Sequence, residues 1–128
     1  MGVTAIKSIA NGTRVTYLVQ NRENPNDTGG PGQSLSVGPG ANRRVNMWIP
    51  WCDNVGQFDS GKNILFEAIG TSEQGLGSAQ ASITIWQSGD YIFQSFNDRF
   101  GSGQLVAGNS TVNGDRSAEL TDSGIRLY

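Results

Sequence analysis

Four stretches of this chain place an apolar residue at every second position. In residues 13–20, Val15, Tyr17 and Val19 alternate with Arg14, Thr16 and Leu18; in residues 43–49, Val45, Met47 and Ile49 alternate with Arg44, Asn46 and Trp48. Residues 63–69 present Ile64, Phe66 and Ala68 on one face, and residues 79–87 present Ala81, Ile83 and Ile85. A period of two sends successive side chains to opposite faces of an extended chain, so each stretch reads as a strand with one buried face. No segment carries an apolar stripe at helical spacing with capping residues, and no helix is expected.

Shorter runs at 35–37, 91–96, 104–106, 118–121 and 125–128 bring the expectation to about eight or nine strands. The segments between them are rich in Gly, Asn, Asp and Pro, residues that supply the positive φ angles and fixed bends of tight turns. Ser88-Gly89-Asp90 joins two strands as a hairpin turn. Residues 21–32 form one long loop and residues 71–78 a glycine-rich turn. Many short strands at this spacing point to an all-β fold, a single antiparallel β-sandwich over residues 1–128 with a jelly-roll or immunoglobulin-like outline. A closed barrel or a trefoil is the alternative. The expected core is Val15, Tyr17, Val19, Val45, Met47, Ile49, Ile64, Phe66, Ile83 and Ile85.

Composition excludes several functions. Only 16% of the residues are charged, the net charge is −2, and the longest basic run is Arg43-Arg44, so no positive field draws a phosphate backbone and nucleic acid is not an expected partner. No stretch approaches the roughly 18 apolar residues of a membrane-spanning helix. Residues 1–11 lack the apolar run of a signal peptide, and the lone Cys52 forms no internal disulfide; both fit a cytoplasmic location, with leaderless release as the route outward. The triplets at Asn11, Asn26 and Asn109 match the glycosylation pattern, as an Asn- and Thr-rich chain does by chance.

The chain has no histidine. Serine–histidine triads and histidine-ligated zinc are therefore ruled out, and Cys52, flanked by Trp51 and Asp53, has no neighbouring cation to activate it. The glycine-rich segments contain no phosphate-cradling motif. Two carboxylates suffice for glycoside hydrolysis, and Asp53, Asp59, Glu67, Asp90 and Asp98 supply candidates, yet acidic residues beside turns are ordinary turn formers. The expectation is a protein that is not an enzyme.

Two clusters suit ligand binding. In the first, strict alternation turns Trp48 away from the face of Met47 and Ile49, while Pro50 ends the strand and releases Trp51 toward Asp53 and Asn54. A flat indole beside carboxylate and amide groups matches a sugar, whose C–H face stacks while its hydroxyls hydrogen-bond. The second cluster is Trp86, outward on the same simple alternation, with Asn97, Asp98 and Arg99 at a strand end. The expected function is thus carbohydrate binding, with a glycan or glycoconjugate as partner. A membrane-binding or pore-associated β-sandwich and a self-assembling structural domain are the alternatives. No cofactor is required; calcium is a secondary expectation on the oxygen donors of residues 24–27, Asp53-Asn54 and Asn97-Asp98. Weakly defended edge strands and the avidity of paired sites point to a homodimer.

Overall fold

The computed structural model describes residues 3–23, 35–69 and 79–128. The loop expected after Asn21 from residue 24 on, the glycine-rich turn at 71–78, the calcium donors at 24–27 and the Asn26 triplet lie outside the described residues.

Eleven strands form among them: β1 (Thr4–Asn11), β2 (Thr16–Asn21), β3 (Leu35–Val37), β4 (Asn42–Trp48), β5 (Ile64–Ile69), β6 (Ser82–Ser88), β7 (Tyr91–Ser95), β8 (Gln104–Leu105), β9 (Ala107–Gly108), β10 (Gly114–Thr121) and β11 (Gly124–Leu127). In one sheet the order is β4, β1, β10, β11, β9; in the other it is β3, β2, β5, β6, β7, β8. Neither closes on itself, so among the described residues the fold is an all-β sandwich rather than a barrel or trefoil. Most neighbours are antiparallel, but β1 with β10 and β9 with β11 run parallel, a mixture that alternation within single strands does not reveal. The hairpin expected at Ser88-Gly89-Asp90 joins β6 to β7, with Gly89 at φ 60°.

The inner faces of both sheets meet in one core. Ile6, Ile9, Met47, Leu120 and Leu127 from the first sheet pack against Tyr17, Val19, Phe66, Ile83 and Ile85 from the second. Each side chain of this size, fully buried, contributes about 1.5–3 kcal/mol. Of the ten expected core residues nine are buried. Val45 is the exception, only half-buried, because a bulge interrupts the pairing of β4 with β1: Ile6 faces Met47 but Ser8 faces Arg44, so Val45 and Asn46 together oppose Lys7. Two residues against one rotate the strand out of strict alternation there.

A second bulge, in the pairing of β1 with β10, hides β1 from a period-two reading: Ile6 faces Arg116 and Ser8 faces Ser117, so Lys7 is an extra residue in β1. Ile6 and Ile9 are three apart yet both fully buried, while Lys7 between them is exposed. Two buried amide side chains, Asn11 and Gln94, are satisfied across the sandwich. The Asn11 amide donates to the carbonyls of Val15 and Val37 while its oxygen accepts from Thr13, and the Gln94 amide oxygen accepts from the Ile125 backbone on the opposite sheet. None of the described helices is long and apolar enough to cross a membrane.

Candidate ligand-binding site

Between β4 and β5 the chain leaves both sheets and covers the outer face of the second. Residues 50–52 run beside the end of β6, where the Gln87 amide donates to the Pro50 carbonyl and the Cys52 amide donates to the Gln87 carbonyl, both at 2.9 Å. Beyond them lies a single helical turn, α1 (Val55–Asp59), contrary to the expectation of no helix. Asn54 accepts from the Gln57 amide at 2.9 Å, and the Gln57 side chain accepts from the Asp53 amide at 2.7 Å. This reciprocal capping stabilises a turn too short to show an apolar stripe.

The covering segment corrects the placement of Trp86. Alternation along β6 does turn it away from Ile83 and Ile85, but it is only 2% exposed, packed with Cys52 and Phe58 and flanked by Phe93 and Phe100. Phe58 meets its ring edge-on with centroids 5.2 Å apart. A sheet face is outward only until something covers it, and α1 with the 3₁₀ turn Phe100–Ser102 covers this one. Cys52 lies in the same cluster, fully buried; desolvation pushes its thiol above the ordinary range, so it is no ready nucleophile.

Trp48 is exposed, at 58%, as alternation requires. With half-buried Trp51 it borders a cleft of about 90 Å³. Asp53 and Asn54 do not join them. Asp53 accepts from the Ser88 hydroxyl at 2.9 Å, and Asn54 caps α1. The polar groups that do line this cleft are engaged within the protein: a Glu23 oxygen accepts from Lys62 at 2.8 Å, and the Gln87 side chain bonds Thr4 and the Ile49 carbonyl.

A larger cleft, of about 460 Å³, opens between α1 and the 3₁₀ turn, lined among others by Asp59, Asp98, Arg99, Phe100 and Ser102. Asp98, at φ 55°, takes both guanidinium nitrogens of Arg22 at 2.9 and 3.0 Å and the Thr84 hydroxyl at 3.1 Å. Burial raises its carboxyl pKa, but the Arg22 hydrogen bonds and charge, with Thr84, outweigh that and hold it below the ordinary range. Asn97 is fixed by Ser95 and Ser102. Arg99 is exposed, and its guanidinium has no hydrogen-bond or ion-pair partner among the described residues. Asp59, outside the stretch expected to form the second cluster, is brought there by α1, and Phe100, at the end of that stretch, by the 3₁₀ turn. No group of three or more His, Cys, Asp or Glu that could hold a metal occurs among the described residues.

Comparison with protein families, with curated proteins and with solved structures finds no match to this chain.

Proposed function

We propose that this protein is a non-enzymatic carbohydrate-binding module whose principal site is the cleft at Asp98 and Arg99. One observation carries the reading: this cleft sets the uncommitted Arg99 guanidinium, the Asp59 carboxylate and the Phe100 ring around a space of about 460 Å³, beside an Asp98 that Arg22 holds in place. Neighbouring hydroxyls of a sugar donate to carboxylate and accept from guanidinium, while its C–H face packs on a ring. The smaller cleft beside Trp48 offers an indole, but its Gln87 amide is paired at both atoms and one Glu23 oxygen is held by Lys62. Binding is favoured over hydrolysis because a general acid needs a raised carboxyl pKa, and Asp98 is held the other way.

A glycan array run with and without calcium tests the reading, with Arg99→Ala as the control. Binding to defined glycans that the variant loses is expected; an array blank under both conditions would overturn it. Contact with a lipid surface is a second reading, favoured by the exposed Trp48 indole, which suits a membrane interface. Flotation with liposomes that Trp48→Ala abolishes would establish it. Paired copies would raise avidity, and the seven-residue edge strand β4 is the surface that supports pairing. Sedimentation at micromolar concentration should then give a mass above the 13.6 kDa of one chain.

A further inference from the structure

A second hollow adjoins the Asp98 cleft and shares one residue with it. Trp86, Phe93, Phe100, Gly103 and Ser88 line a slot of about 150 Å³, and Phe100 also lines the cleft of Asp98 and Arg99. The slot is aromatic. Trp86 lies near-parallel to Phe93, with centroids 6.2 Å apart and planes 19° apart, and against Phe100 at 5.5 Å. Gly103 lets the chain pass close to the indole, since a Cβ there would come within 2.6 Å of the Trp86 ring. No side chain from position 103 therefore fills the space.

One polar group interrupts the aromatic lining. The Ser88 hydroxyl donates its hydrogen to Asp53 at 2.9 Å, which leaves its oxygen able to accept from another donor. A group suited to this slot carries one N–H and a short apolar tail, and it must be tethered to something polar enough for the neighbouring cleft. An unsubstituted hexose brings a hydroxyl that can donate to Ser88 but no apolar tail for the ring lining. A secondary amide with a short acyl chain meets both requirements.

We infer that the slot receives the N-acyl group of a 2-acetamido sugar whose ring occupies the adjoining cleft across Phe100. This rests on the carbohydrate reading above and narrows it to N-acylated aminosugars. The amide N–H donates to Ser88 Oγ and the methyl packs on Trp86, Phe93 and Phe100.

Isothermal titration of the full chain with glucose, galactose and mannose, each beside its 2-acetamido counterpart, tests the inference. In at least one pair the acetamido sugar should bind about tenfold more tightly, the scale of one buried methyl plus one hydrogen bond. The Trp86 indole N–H resonance of the unmodified protein should shift with the acetamido sugar and stay still with the plain hexose. Ser88→Ala, checked for an unchanged thermal melt, should bring the preference toward one. Equal affinities within every binding pair, or an unmoved indole resonance, would overturn the inference while leaving the carbohydrate reading in place. An N-alkyl acetamide without a sugar ring that binds as tightly would also overturn it, since the polar cleft would then contribute nothing. No binding by any of the six sugars would remove both.

Discussion

The guanidinium of Arg22 grips the carboxylate of Asp98 with two parallel hydrogen bonds, at 2.9 and 3.0 Å, across 76 positions of sequence. Arg22 follows the end of β2 and Asp98 follows β7, so the pair ties the loop that carries Arg99 to the end of β2 across β5 and β6. A two-pronged contact fixes orientation as well as distance. The candidate cleft is thereby held open by an interaction outside its own loop.

That pair sets an acid-side dependence of stability. Asp98 has a carboxyl pKa depressed in the fold, so the stabilisation is present above its unfolded value of 3.8 and is lost as pH falls through the lower folded value. Its side chain is 41% exposed, and solvent screening keeps the pair to about 0.5–1 kcal/mol. Thermal melts from pH 5 to 2 should show a shallower decline in Arg22→Ala than in the unmodified protein. Parallel curves would show that the pair contributes nothing.

Tyr17 sets the opposite dependence on the alkaline side. Burial, with the charge of Asp122, pushes its hydroxyl pKa up to about 12, and the hydroxyl donates to the Gln80 carbonyl. The neutral phenol is the stable form in the fold, so its contribution is complete below about pH 10 and disappears as pH rises toward 12. Ultraviolet absorbance should show one tyrosine ionising only near unfolding. A spectrum in which all three tyrosines ionise together, well before unfolding, would contradict this.

The two outward-reading tryptophans should part company in urea. Trp86→Ala removes a ring from the covered cluster and should cost about 3–5 kcal/mol. Trp48→Ala, at a surface position, should change stability by less than about 0.5 kcal/mol. Equal costs would mean that Trp48 is covered in solution.

Asn11 offers a test of polar burial. Replacing it with Leu removes the donors to the Val15 and Val37 carbonyls and the acceptor for Thr13, and should destabilise by about 2–4 kcal/mol through groups left unpaired. A cost below 1 kcal/mol in chemical denaturation would show that water replaces it.

Strands with unbroken alternation were legible in the sequence. The two-residue rhythm of Val15, Tyr17 and Val19, or of Ile83 and Ile85, needs no knowledge of neighbours, because one face is buried and the other differs in kind. β1 was illegible for the opposite reason: its bulge at Lys7 places Ile6 and Ile9 out of phase. α1 had a local signal, Asn54 with Gln57 three positions on, which was outweighed by its brevity. The candidate cleft was half legible. Asp98 and Arg99 stand together in sequence, but Asp59 joins them only through α1 and Arg22 only through the pairing of β2, β5, β6 and β7. Trp86 shows the limit most clearly, since alternation gives the face a side chain takes and cannot tell what lies over that face.

The parallel pairing of β1 with β10 sets a schedule for folding. Thr4 lies beside Gly114, so β1 receives its second neighbour only after more than a hundred further residues have been added. At ribosomal speeds that is a wait of roughly 5–20 s. β4 becomes available much earlier, so β1 and β4 spend the interval as a bare two-stranded ribbon. Isolated ribbons of this kind are marginal in water, and the edge of β1 that takes β10 stays unpaired until β10 arrives. The sandwich is therefore closed by its late strands, and the time before they emerge is when this chain is most exposed to association with others like it.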